Sequence, residues 1–195
     1  MRRVTALVLV LAFIGATGIA QAADTYTIDV AHSSIGFAVK HLGLSKVKGT
    51  FNDFSGTILV DSVDIAKSSV NVTIKAASIN TDNESRDKHL RSADFFETDK
   101  YPDITFVSEK IEKTATGYVA HGNFTMHGVT KKIALPFIVT GPIKGMAGEY
   151  RLAVEAETKL DRQEYGISFS KTLDTGGLVV GNEVAVDIAI EAVSK

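Results

Sequence analysis

The side chains best suited to acid–base or metal chemistry in this sequence are its five histidines, and their spacing favours neither role. They are His32, His41, His89, His121 and His127. No two of them are separated by one or by three residues, the spacings that bring two imidazoles to one face of a strand or of a helix. We interpret them as loop or surface histidines and expect no metal site.

Motifs for nucleophilic catalysis and for phosphate binding are also missing from the sequence. There is no cysteine, which excludes thiol catalysis, cysteine-bound zinc and iron–sulfur clusters. No serine lies in a G-x-S-x-G elbow, and no glycine-rich stretch forms G-x-G-x-x-G or a P-loop. We therefore expect a protein that is not an enzyme, with no catalytic residue and no cofactor. A small periplasmic enzyme that uses an internal pocket stays as an alternative.

One charged run interrupts an otherwise strand-like sequence. Residues 86–91 read Arg-Asp-Lys-His-Leu-Arg and follow the N-cap candidates Thr81, Asp82 and Asn83, which predicts a short helix at about 84–92. Two interpretations of the run stay open. It is either a solvated helix face with local ion pairs, or a lid over a pocket that contacts the head group of a ligand.

Most of the remaining sequence alternates with a period of two between large apolar residues and small or polar ones. The predicted strands are 34–41, 46–60 (bent near Gly56), 69–76, 103–112, 117–126, 131–139, 149–160 and 183–191. Eight such strands favour closure, because an open sheet would leave two unpaired edges. The predicted fold is all-β, an eight-stranded antiparallel barrel. The short helix caps one end, with Leu90, Phe95 and Phe96 as a plug.

One face of each alternating strand must point into this barrel. The residues predicted to face inward and to line a tunnel are Phe37, Val39, Val72, Ile74, Phe106, Phe124, Leu135, Phe137, Leu152, Val154, Val186 and Ile188. An eight-stranded barrel either fills its interior with side chains or keeps room for one small ligand. The period of the pattern does not decide between a filled and a hollow barrel.

The first 22 residues are typical of a secretory signal peptide. Two arginines precede an apolar run from Val4 to about Ile14, and Ala-Gln-Ala at 20–22 fits a small-x-small cleavage site. The apolar run is shorter than the roughly 20 residues that span a bilayer. We therefore expect one periplasmic domain at 23–195, secreted and without stable insertion into a membrane.

Charge and aromatic content limit the partners of this domain. The formal net charge of the full chain is −2, and the scattered lysines and arginines form no basic stripe, so we expect no nucleic acid as a partner. An outer-membrane barrel also has alternating strands, but it carries aromatic girdles, and this sequence has no tryptophan. An exposed strand edge would allow a homodimer.

Three blocks of sequence resemble the YceI-like, polyisoprenoid-binding family, in the order that the family has them. They are HSSIGFAVKHLG at 32–43 with VKGTF at 47–51, RDKHLRSADFF at 86–96 with YPDITF at 101–106, and GNFTMHGVTK at 122–131. Two positions depart from the family pattern. Lys132 stands where the family often has proline, and 161–166 reads DRQEYG where the family often has Asn-Arg-x-Asp-Phe-Gly.

The resemblance implies a lipocalin-like barrel with an inner tunnel that holds an amphiphilic or isoprenoid ligand, isoprenoid quinones among the candidates. It implies neither catalytic residues nor a metal. On this basis we expect a periplasmic binding or carrier protein for a long-chain lipid. A stress-related interaction protein with a filled barrel is the alternative from a different class.

Overall fold

The computed structural model describes residues 23–172 and 177–194, so the predicted signal peptide lies outside the described residues. The strands are β1 (Asp24–Ile28), β2 (Ser34–His41), β3 (Ser45–Phe51), β4 (Phe54–Val60), β5 (Ser69–Lys75), β6 (Ile79–Asn80), β7 (Asp103–Lys113), β8 (Tyr118–Met126), β9 (Val129–Lys144), β10 (Tyr150–Asp161) and β11 (Val180–Ser194). One α-helix, α1, spans Glu84–Arg91. No helix within the described ranges has the length and apolarity that crossing a membrane requires.

Strand β1 closes the sheet, because it forms hydrogen-bonded ladders with both β4 and β11. The closed ring is β1-β4-β5-β7-β8-β9-β10-β11, and every pairing in it is antiparallel. Strands β2, β3 and β6 extend the sheet from the first half of the long strand β11. The predicted eight-stranded antiparallel barrel is thus confirmed, and closure leaves the ring itself without a free edge.

The path of the chain around β3 and β4 differs from the prediction. The single bent strand at 46–60 is two strands, separated by Asn52 and Asp53, and the prediction did not include β1 or β6. Gly56 lies inside β4, and the β4–β5 ladder passes through it without a bulge or a shift of register. A Cβ there would lie 2.6 Å from the carbonyl oxygen of Asn71, so the glycine permits close approach of two strands.

Helix α1 begins where its cap predicts. The Asn83 side chain accepts a hydrogen bond from the backbone N–H of Arg86 at 2.9 Å. Three side chains of the charged run turn toward the segment just before the helix. Arg86 Nε donates to Thr81 Oγ1 at 2.7 Å, Arg91 Nη2 donates to the carbonyl of Ile79 at 2.8 Å, and the buried Asp87 accepts from the Thr81 backbone N–H at 2.9 Å.

These contacts change the interpretation of the charged run. A solvated face is the correct description for Lys88 and His89, which are exposed, but it is wrong for Asp87, which is buried. Arg86, Asp87 and Arg91 instead anchor α1 across the end of the barrel. A buried carboxylate such as that of Asp87 is stable only when its hydrogen bonds are made.

The apolar face of the sheet points inward and the charged face outward. Along β10 the inward positions include Leu152, Val154 and Ala156, whereas Glu155 and Glu157 alternate with them and are exposed. An apolar outer surface is what the outer-membrane interpretation requires, and β10 has the opposite orientation.

Candidate functional site

The barrel encloses a cavity of about 670 Å³, which lies within the range of about 300–1,000 Å³ typical of small-molecule sites. All twelve residues that the alternation predicts to face inward lie on its wall. Their role in ligand binding stays a prediction. The cavity is incompatible with the filled barrel that the interaction-protein alternative requires.

Further wall residues come from the same strands and were missing from the predicted set. They include Ile58, Val70, Ile104, Ile111, Ala120 and Ala156. The alternation that selected the twelve also selects most of these, so the signal was present. The two alanines matter most, because a small inward side chain leaves the lumen open at its level.

One end of the cavity is closed by aromatic and aliphatic side chains. Phe95, Ile79 and Ile167 are buried there, and the ring of Phe96 meets that of Phe51 edge to face, with centroids 5.8 Å apart. Leu90 of α1 lines the cavity at the same end. The predicted plug of Leu90, Phe95 and Phe96 therefore lies where the helix caps the barrel, and the ring of His89 packs edge to face on that of Phe95 at 5.0 Å.

A buried cation also lies at the closed end. Arg162, only 5% exposed, donates Nη1 to the carbonyl of Ile167 at 2.6 Å and Nε to the carbonyl of Gly181 at 2.9 Å. Its Nη2 lies 3.3 Å from the carbonyl oxygen of Val180 and from Oδ1 of Asn182. Burial lowers the pKa of this guanidinium. Backbone carbonyls thus satisfy a charge that has no carboxylate within 4 Å among the described residues.

The opposite end of the cavity is open and partly polar. The wall there includes the exposed residues Ser62, Val63, Lys113 and Pro142, together with Asp61. The Asp61 carboxylate accepts hydrogen bonds from the backbone N–H groups of Asp64 and Val63, which lower its pKa. Apart from Arg162, whose donors are bound to carbonyls, the cavity wall is mainly apolar toward its closed end and partly polar at its mouth, an arrangement that suits an amphiphilic ligand.

The histidines lie outside this cavity, since none of the five is on its wall. His127 lies in the β8–β9 turn, as the predicted loop position allows, but its side chain is only 15% exposed and is not on the surface. Its Nδ1 donates to the carbonyl of Tyr165 at 3.0 Å, and its ring packs against that of Tyr101 at 4.6 Å. This histidine fixes the β8–β9 turn to the segment after β10.

Three potential metal ligands meet on the outside of the barrel, a grouping that sequence spacing could not suggest. Asp29, His32 and Glu191 bring ligand atoms within 4.8 Å of one another. Arg151 Nη1 bonds to both carboxylates, at 3.1 Å from Asp29 Oδ2 and closer still to Glu191, and its Nε bonds to Glu149 at 2.9 Å. The guanidinium takes the place a cation would need, so the cluster is an ion-pair network.

This network predicts a specific loss of stability in acid. Hydrogen bonds from His32 and then Arg151 lower the pKa of Asp29, and the Arg151 hydrogen bond lowers that of Glu149. A carboxylate with a lowered pKa stabilises the fold above its unfolded pKa of about 4, and the contribution is lost as the pH falls through the folded pKa. We expect Arg151→Met to lower the melting temperature at neutral pH, and the difference from wild type to shrink below about pH 4.

Thermal unfolding followed by circular dichroism across this pH range checks the expectation. Lys67→Met, which removes an exposed ion pair with Asp64, is the matched control and should change the melting temperature little at any pH. A difference for Arg151→Met that stays constant down to the lowest pH would mean that the carboxylates are not its partners in solution.

Comparison with known proteins gives consistent matches. A family model described as the YceI-like domain matches residues 26–192. The UPF0312 protein plu2095 of Photorhabdus laumondii is 43% identical over 145 residues, 73% of this chain and 76% of that protein. The crystal structure of the Campylobacter jejuni YCEI protein matches with a TM-score of 0.68 and 36% identity, over 80% of this chain and 90% of that one.

A more distant solved structure shares the fold. It is a polyisoprenoid binding domain from Saccharophagus degradans, implicated in plant cell wall breakdown. It matches with a TM-score of 0.62 at 17% identity, over 87% of this chain and 98% of that one.

Proposed function

Because the chain belongs to the YceI-like family, we propose that it is a binding protein that holds one long-chain amphiphilic lipid, of the isoprenoid class, inside its barrel. The observation that carries the proposal is the polarity of the cavity. Its wall is aliphatic and aromatic along most of the lumen, and the groups that line the mouth are partly polar. The polar exceptions deeper in are Thr158 and the buried Arg162, whose guanidinium donates to backbone carbonyls. The Saccharophagus degradans domain, named for polyisoprenoid binding, has the same fold, which supports the choice of ligand class.

The energetics favour a long chain with little selectivity. Each buried CH₂ contributes roughly 0.8 kcal/mol, so about a dozen contribute roughly 10 kcal/mol before association costs of several kcal/mol. One methylene more or less changes binding by only about 1 kcal/mol or slightly more. The protein should therefore accept isoprenoids of several lengths, isoprenoid quinones included, as long as the tail reaches the plug.

The polar groups of the cavity favour a role in binding rather than catalysis. Asp61 bears the only carboxylate on the described part of the cavity wall, and its Oδ1 accepts hydrogen bonds from two backbone N–H groups of its own loop. General acid–base chemistry needs a free, positioned partner for such a group. Together with the predicted signal peptide, this supports a periplasmic carrier or storage protein.

The test is to identify what the protein holds when it is isolated. The mature chain would be purified from the periplasm without detergent, extracted with organic solvent, and the extract analysed by mass spectrometry. We expect close to one long-chain lipid per barrel. A protein that yields no lipid, and that takes up no isoprenoid added from solution, would overturn the proposal.

A further inference from the structure

The open end of the barrel carries large apolar side chains that the fold does not bury. Val63 is 81% exposed, Ile143 64%, and Met146 fully exposed. Single exposed apolar residues are common on protein surfaces. These three differ because they gather at the end where the cavity opens, and Val63 itself forms part of the mouth.

The topology places these side chains on both sides of the mouth. Val63 lies in the loop between β4 and β5, whereas Ile143 and Met146 lie at the end of β9 and in the loop to β10. In the closed ring, the β4–β5 pair and the β9–β10 pair are separated by two strands in either direction. The apolar residues thus form two ridges that face each other across the opening.

Two further side chains fit an interfacial position. Tyr150 follows the second ridge and is exposed, and Lys144 lies between Ile143 and Met146. Lys144 has no carboxylate within 4 Å among the described residues. Tyrosine and lysine with an apolar stem and a polar tip are the side chains that settle at the boundary between lipid and water.

The opening between the two ridges favours a lipid bilayer over a second protein copy as the partner of this surface. A second protein copy would need a continuous surface of about 800 Å² on each partner, and here the centre of the surface is an opening. A lipid bilayer needs no such complement, and it is the phase in which a long-chain amphiphile resides. The apolar side chains of the two ridges would insert into the surface of the bilayer, and the mouth of the cavity would then face the bilayer directly.

We propose that the open end of the barrel docks on a lipid bilayer through Val63, Ile143 and Met146, and that the ligand enters and leaves there without crossing water. The inference rests on the proposed lipid-binding function and adds the surface through which it is carried out. The closed end, with α1 and the plug, faces away from the membrane.

The test compares the two ends of the same molecule. The mature protein would be floated with vesicles of phosphatidylcholine and phosphatidylglycerol, and transfer of a fluorescent isoprenoid between vesicles would be timed. We expect Ile143→Asp with Met146→Asp to lower vesicle binding and the transfer rate by at least about tenfold. Leu44→Asp is the matched control, because Leu44 is 88% exposed at the tip of the β2–β3 hairpin, near the closed end. It should leave both quantities unchanged.

Uptake of the same isoprenoid from solution separates this proposal from the proposed function. We expect the double variant to load to the wild-type ratio, since neither Ile143 nor Met146 lines the cavity. Normal loading with no vesicle binding by the wild type would overturn docking and leave the lipid-binding function standing. Loss of binding in Leu44→Asp alone, or a stable dimer broken by the double variant in sedimentation, would also overturn docking. Failure of the wild type to load would overturn the function itself.

Discussion

Replacement of Ala156 by phenylalanine is expected to exclude the lipid from the barrel without unfolding the protein. Ala156 lies on β10, is buried, and lines the lumen without belonging to any of the packed core clusters. A phenylalanine ring at this level would extend into space that the ligand chain needs. Steric overlap inside a barrel costs about 1–3 kcal/mol, so the affinity for the lipid should fall by roughly 5- to 150-fold, and the lipid-to-protein ratio of the isolated protein should fall with it.

The stability of the Ala156→Phe variant should match or exceed that of the wild type. Filling an empty apolar volume adds packing contacts that the wild-type side chains lack. The variant therefore tests lipid binding without lowering stability. A charged substitution on the cavity wall would change both. Solvent extraction with mass spectrometry gives the lipid content, and thermal unfolding of the delipidated protein gives the stability.

Ala134→Phe is the control on the outer surface. Ala134 lies on β9, is exposed, and is not part of the cavity wall. The same change of side chain there should keep both the lipid and the stability, because phenylalanine is at least as favourable in a strand as alanine. Equal lipid content in the two variants would show that the ligand does not occupy the lumen at the level of Ala156.

The strands and the inward face were predictable because they depend on local alternation. Val184, Val186 and Ile188 repeat with a period of two, and the structure places all three on the cavity wall. Where alternation was short or interrupted, the prediction was wrong. Strand β1 has only five residues, and Asn52 and Asp53 divide a segment whose pattern looked continuous.

The cavity itself could not be predicted from the sequence, because its existence depends on distances across the barrel. Its volume follows from ring closure by β1 and from small inward residues such as Ala120 and Ala156. Which end is open depends on loops that are far apart in sequence. The exposed Val63 and Ile143 lie between predicted strands, and only closure of the ring shows that they share one end of the barrel.

Arg162 is the other position where we expect a large effect, this time on stability. Its neighbours in sequence suggest a surface turn, yet the side chain is buried and donates to the carbonyls of Ile167 and Gly181. In Arg162→Met the buried carbonyl of Ile167 and the partly buried carbonyl of Gly181 lose their donors, and a buried polar group left without a partner costs about 1–3 kcal/mol. We expect the free energy of unfolding to fall by about 3 kcal/mol or more.

Two variants show whether geometry or charge is responsible. Arg162→Lys keeps the positive charge but lacks the planar set of donors, so it should lose most of the same stability. Lys159→Met removes a cation two residues from the end of β10, where its pair with Glu183 at 2.9 Å is exposed, and should cost less than about 0.5 kcal/mol. Denaturant unfolding of the delipidated proteins measures all three.

The outcome bears on the closed end of the barrel as well as on its stability. Arg162 connects the turn after β10 to the start of β11, and Ile167 in that turn forms part of the apolar wall at the closed end. If the guanidinium holds this turn in place, Arg162→Met should also release bound lipid faster than Lys159→Met does. A variant as stable as wild type, with unchanged lipid release, would mean that water replaces the arginine at these carbonyls and that the aromatic plug alone closes the barrel.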